Sequence, residues 1–267
     1  MSHEPTSGAV AGSSAALPLG GAVAVVTGSS TGIGRAIALA LARAGADVAI
    51  TYRTGESEAR ALAREVGSAG RRAEIYQLDL AEPASIAALA VGVQRDFGHV
   101  DVWVNNAGAD ILTGGAADLP DLAKLDLLLT VDLRGTVLAS WEAARLMRQQ
   151  LHGGVIINMS WDHAITGMRG RNPEMFSAAK GGILSFSKSL ARSLAPAVRV
   201  NILAPGWIET EFGAGLTPER HRDVAEQTPM RRWGTPDDVA SAAVFLASPA
   251  SGFLTGQMLL VGGGTVM

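Results

Sequence analysis

Apolar residues in this chain fall in short unbroken runs separated by longer stretches with helical spacing. "VAVV" at 23–26 and "GVII" at 154–157 are typical of the short runs. A run with no polar alternation suits a strand covered on both faces, as in a parallel sheet. Such runs predict strands over residues 22–27, 47–52, 72–78, 100–105, 154–159, 198–203 and 258–261. Helical patterns lie between them, over residues 33–44, 56–69, 83–97, 121–150, 174–194 and 236–246. This strict alternation predicts an α/β fold: a Rossmann-like, doubly wound parallel sheet of about seven strands with helices on both faces. No linker, repeat or second domain is evident, so residues 19–267 read as one domain, a common size for this class. Residues 1–18, "MSHEPTSGAVAGSSAALP", are small and polar and read as a flexible arm. They lack the basic start and continuous apolar centre of a signal peptide.

The first βα junction carries chemistry. "VVTGSSTGIGRAIA" places Gly28, Gly32 and Gly34 in the turn and the first helical residues. There the chain bends sharply and brings backbone N–H groups against an anion, at a helix end that favours negative charge. A dinucleotide pyrophosphate is the natural ligand, and the position between a buried strand and a helix strengthens that reading.

Composition removes other classes. The chain has no cysteine, which excludes disulfides, thiolate metal sites and a cysteine nucleophile. No metal site is assigned. The net charge is −3, and the arginines are scattered apart from Arg71-Arg72 and Arg231-Arg232, a poor footprint for nucleic acid. No apolar stretch approaches the ~18 residues of a membrane span. A cytoplasmic protein acting on a small molecule is the expectation.

Further motifs make the pattern specific. "TGSSTGIG", "LDL" at 78–80, "NNAG" at 105–108, "FSAAKGGILSFSKSLA" at 176–191 and "RVNILAPGWIETEF" at 199–212 occur in this order. With them the chain resembles the short-chain dehydrogenase/reductases, most of all the branch containing the 3-oxoacyl-carrier-protein reductases. The resemblance spans about residues 20–267. It implies that Gly28, Ser30, Thr31 and Ile33 line the pyrophosphate and adenosine ribose, with Asp79 and Leu80 flanking the adenine. Asn106, Ala107 and Gly108 would contact a cofactor ribose, and Lys180 the nicotinamide ribose. Pro205, Gly206, Ile208 and Thr210 would close on the carboxamide side, and residues 205–235 contain a mobile substrate loop. The family commonly assembles as tetramers, through helices corresponding to residues 121–150 and 174–194 and the last strand, so a homo-oligomer is expected.

Cofactor choice turns on the end of the second strand. An acidic residue there would bind the adenosine 2′-hydroxyl and repel a 2′-phosphate. "TYRTGE" instead places Tyr52 and Arg53 at that point. An arginine fork matches phosphate oxygens, which favours NADP(H) over NAD(H).

The catalytic positions are unusual. The family uses a tyrosine to protonate the carbonyl, a lysine to lower its pKa, a serine to orient the carbonyl and an asparagine to hold a relay water. Lys180 is present, but Phe176 stands four residues before it, where the tyrosine belongs. In "INMSWDHA", strand alignment puts Trp161 at the serine position, with Ser160 just before it. Counting back 13 residues from Phe176 gives His163 instead. Asp132, in "TVDLRG", stands where the asparagine is expected. His163 is the candidate replacement acid, because its ordinary pKa lies near neutrality. Asp132 is expected to point at Lys180 and hold it charged. Trp161 and Phe176 form an apolar pair suited to a flat substrate, and hydride transfer to a cationic iminium would need no acid at all. Two readings stay open: an oxidoreductase with altered chemistry on a carbonyl, alcohol or imine, or a non-catalytic nucleotide or partner binder.

Overall fold

Seven parallel strands form one sheet in the order β3-β2-β1-β4-β5-β6-β7. The computed structural model describes residues 17–210 and 216–267. The arm expected over residues 1–18 lies, up to residue 16, outside the described residues, as do residues 211–215 of the expected substrate loop. The strands are β1 (Val23–Val26), β2 (Asp47–Tyr52), β3 (Ala73–Gln77), β4 (Val102–Asn105), β5 (Gly154–Met159), β6 (Val198–Pro205) and β7 (Met258–Val261). The strand order reverses beside β1, between β2 and β4, and a doubly wound sheet opens its ligand crevice at that switch point.

Helices cover both faces, and the central strands supply side chains to both. Ala24, Val26, Val48 and Ile50 point to one side. There they pack with α1 (Gly32–Arg43), α2 (Glu56–Ser68) and α8 (Pro236–Ala247). Val25, Ala49, Trp103 and Ile156 point to the other. They meet α3 (Pro83–Phe97), α5 (Gly135–Met147) and the end of α6 (Arg171–Leu194). Side chains on a strand alternate between faces, so a strand apolar at every position is what two layers of helix require.

Two elements differ from the sequence expectation. The helix expected over 121–150 is α4 (Asp121–Leu128) running through a π-helical turn (Leu129–Arg134) into α5. Such widened turns change which residues share a face, a local effect that hydrophobic periodicity does not resolve. Helix α6 begins at Arg171, three residues before the expected start, and takes Pro173 into its first turn. Proline fits there because first-turn N–H groups have no intrahelical partner anyway. A further helix, α7 (Pro218–Gln227), lies in the segment expected as substrate loop. Among the described residues no helix is long and apolar enough to cross a membrane.

Candidate active site

The turn after β1 builds the first of two adjoining cavities. Gly28 has φ +62°, and a Cβ there would lie 2.9 Å from Ala107. At Gly34 a Cβ would meet the Gly28 carbonyl oxygen at 2.2 Å. Glycine at both points lets this turn pack against the loop after β4. Hydrogen bonds then tie the two together. Thr27 Oγ1 accepts the N–H groups of Asn106 and Ala107 at 2.9 and 3.0 Å. The Asn106 amide donates to the carbonyls of Thr27 and Gly28. Thr31, at the N-cap of α1, makes no side-chain capping bond, and the first turn holds no acidic residue. That helix end keeps N–H donors and positive partial charge for an anion.

This cavity has a volume of about 610 Å³. Gly28, Ser30, Thr31, Ile33 and Gly34 form one wall. Tyr52 and Arg53 enter from the end of β2, Asp79 and Leu80 from the segment after β3. Asn106, Ala107 and Gly108 complete it. Gly32 is in the turn, at φ +55°, without lining the cavity. The tied turns, the uncapped helix end and the exposed Arg53 fit a dinucleotide along the carboxyl ends of β1, β2 and β4.

The second cavity, of about 460 Å³, shares Ile33 and Asn106 with the first. It is mostly apolar, with Trp161, Phe176 and Trp207 among its walls. Pro205, Gly206, Ile208 and Thr210, expected against the cofactor, line this second cavity. Lys180 reaches it too. Its Nζ lies 2.9 Å from Asp132 Oδ2, and the two side chains are only 11% and 1% exposed. Asp132 sits in the π-helical turn, and its other oxygen accepts the Ala109 N–H at 2.7 Å. It is therefore a buried partner of Lys180, not a solvated helix carboxylate.

The other sequence candidates divide. Ser160 lines the cavity, but its hydroxyl donates to the Lys180 carbonyl at 2.9 Å and so holds α6 against β5. His163, the expected replacement acid, is not among the residues lining it but stacks behind Trp161, which is. Its Nδ1 lies 2.7 Å from Asp162 Oδ1, and its ring stacks on Trp161 at 5.0 Å. The cause is the short helical turn after β5, which buries Asp162 completely and draws His163 to it. Asp162 Oδ2 has no hydrogen-bond partner among the described residues and is wedged against Gly206 and Gly262. Burial pushes the Asp162 carboxyl above its ordinary range, with the contacts to His163 pulling the other way.

Sequence reasoning missed part of the wall. Leu112, Met168, Asn172 and Pro173 line the second cavity, as do Leu216, just before α7, and Arg220 and Val224 on it. Glu209, by contrast, is exposed and pairs with His221 at 3.4 Å. The only advance signal for α7 was Thr217-Pro218, a cap residue before a first-turn proline.

A family model described as enoyl-(acyl carrier protein) reductase matches residues 28–266. The chain belongs to the short-chain dehydrogenase/reductase family. A 3-oxoacyl-[acyl-carrier-protein] reductase of Aquifex aeolicus is 38% identical over 252 residues, 93% of this chain and 98% of that protein. An uncharacterized oxidoreductase of Mycobacterium tuberculosis is 40% identical over 249 residues, 91% of each chain. Among solved structures, a 7α-hydroxysteroid dehydrogenase complexed with NADH and 7-oxo glycochenodeoxycholic acid superposes with a TM-score of 0.85. It is 32% identical, over 94% of this chain and 96% of that one. This short-chain dehydrogenase/reductase is thus an oxidoreductase by family. Phe176 and Trp161 line its inner cavity where the resemblance called for tyrosine and serine.

Proposed function

We propose that the protein transfers hydride between NADP(H) and a small, largely apolar carbonyl or alcohol. The observation that carries this is the junction of the two cavities at Ile33 and Asn106, with Lys180 at the inner end. The nicotinamide, when bound, supplies or accepts the hydride. Everything else falls to the chain's own residues. The turn after β1 and the α1 N-terminus would hold the pyrophosphate. Arg53 supports NADP(H), because it lines the outer cavity where no acid ends β2 and its guanidinium suits a 2′-phosphate. Probable NADP-dependent mannitol dehydrogenase of Yarrowia lipolytica, 34% identical, bears a name in the same direction.

At the positions where the family places its tyrosine and serine the polar inventory is short. Phe176 has no donor, and the Ser160 hydroxyl is taken up by the Lys180 carbonyl. Trp161 carries an N–H that donates hydrogen bonds without releasing a proton at neutral pH. That leaves the Lys180 ammonium, held by Asp132, to meet the developing alkoxide and to give it a proton. A carbonyl is favoured over an iminium by charge. Among the described residues lining the inner cavity none is acidic, Lys180 is paired with Asp132, and Arg220 adds a positive charge. The competing reading, a nucleotide binder without turnover, is favoured by Trp161 and Phe176 at the proton-transfer positions.

Calorimetric titration with NADPH and NADH, followed by a ketone and aldehyde screen for NADPH oxidation, tests the proposal. Micromolar or tighter NADPH binding with substrate-dependent oxidation that Lys180→Met abolishes would uphold it. NADPH binding with no turnover on any carbonyl would favour the non-catalytic binder. Assembly as a homo-oligomer belongs to the same proposal.

A further inference from the structure

The inner cavity has a chemical polarity of its own. Trp161, Phe176 and Trp207 give it aromatic walls, and Leu216 and Val224 extend the apolar lining toward α7. Lys180 contributes charge at the inner end, but Asp132 already neutralises it at 2.9 Å. Arg220 contributes a second positive charge from α7, on the exposed side of the cavity. No acidic side chain pairs with Arg220 among the described residues. Its neighbours are committed: Arg222 faces Glu219, His221 faces Glu209 and stacks on Trp233, and Arg232 is bound by Asp238. An apolar chamber whose outer side carries a cation with no acidic partner among the described residues is complementary to an amphipathic anion. The apolar body is desolvated inside, and the anionic group meets the guanidinium where water remains.

We propose that the inner cavity takes substrates of the keto-acid or hydroxy-acid class, with a carboxylate remote from the reacting carbon. Arg220 is the residue that recognises that carboxylate. This rests on the hydride-transfer reading for the identity of the reacting group, but the recognition itself is a binding property. It assigns α7 a specificity role: the helix brings a charge to the cavity that no strand or sheet-end loop supplies.

The test is therefore made on binding, with the full-length protein, both alone and with saturating NADPH. Octanoate is compared with octanamide, and 4-phenylbutyrate with 4-phenylbutanamide, by calorimetry and by tryptophan fluorescence, since Trp161 and Trp207 report the cavity. Each acid is expected to bind about tenfold or more tightly than its amide, the scale of one charge-assisted contact. Arg220→Ala should remove that preference, Arg220→Glu should invert it, and Arg220→Lys should keep part of it. Arg222→Ala, on the same helix but paired with Glu219 and outside the cavity lining, should leave it intact. Equal affinity for acid and amide, no binding of either, or a preference that survives Arg220→Ala would overturn the proposal. Turnover is scored separately. Reduction of neutral ketones unaffected by Arg220→Ala, without any acid preference, would uphold the redox reading and remove this one. An Arg220-dependent acid preference without turnover would do the reverse.

Discussion

Phe176 and Lys180 stand four positions apart on α6 and both reach the inner cavity, so restoring one hydroxyl is a direct probe. Phe176→Tyr returns a proton donor beside an ammonium already in place. Carbonyl reduction is expected to rise by about 10²-fold, the lower end of what a positioned acid contributes. Steady-state NADPH oxidation by the variant and the native protein checks it; equal rates would mean that proton delivery does not limit this site. Asp132→Asn is expected to lower kcat at least tenfold while leaving NADPH affinity within about threefold, because it unpairs the buried ammonium. Asp162 gives a pH-dependent expectation. Its carboxyl is raised by burial above the ~3.9 of an unfolded chain, so the fold gains most from it when it is protonated. That contribution is present below about pH 4 and is lost as pH rises through the folded value. Asp162→Asn should therefore gain in Tm relative to the native protein as pH goes from 4 to 7, measured by thermal scans. A gap independent of pH would show that the carboxyl ionises no differently in the fold.

The elements show where sequence reading succeeds. β2, β5 and β7 lie where the apolar runs placed them, since a strand covered on both faces leaves an unbroken run. The Gly28–Gly34 turn was legible for a similar reason: its close approaches admit no other side chain. Asp132 was legible only through its spacing within a family motif, because nothing local in "TVDLRG" announces a π-helical turn. His163 shows the opposite case. Its residue type suits an acid, but its hydrogen bond to the buried Asp162 could not be foreseen, because burial of one loop residue cannot be read from that loop alone. Helix α7 was missed because it is polar nearly throughout and buries only Val224, so no stripe betrays it. α8 is better marked, by a Thr235–Asp238 capping box and a first-turn proline. Thr235→Ala should cost about 1 kcal/mol of stability, read by urea denaturation, through loss of the N-terminal cap.

For the whole molecule, the faces that sheet and helices leave uncovered carry the expectation of self-association. Trp141 on α5 is 55% exposed and meets Phe186 on α6 edge-on, at 6.5 Å. An exposed tryptophan backed by a partly buried phenylalanine on the adjoining helix suits an interface. Trp141→Glu is expected to lower the oligomeric state seen by light scattering, and an unchanged mass would place any interface elsewhere. Beneath that face lies a different kind of constraint. Asn105 Nδ2 donates to Asn158 Oδ1 and Ser140 Oγ at 2.8 and 2.9 Å, and Asn158 Nδ2 donates to Ser187 Oγ at 2.8 Å. All four side chains are buried, and together they bolt β4 and β5 to α5 and α6 behind the cavity. Removing one leaves a buried partner unsatisfied, at about 1–3 kcal/mol. In energetic terms these four positions are one coupled unit. A single substitution at any of the four is expected to destabilise the sheet–helix contact, and a paired change that restores the hydrogen bond is expected to recover it.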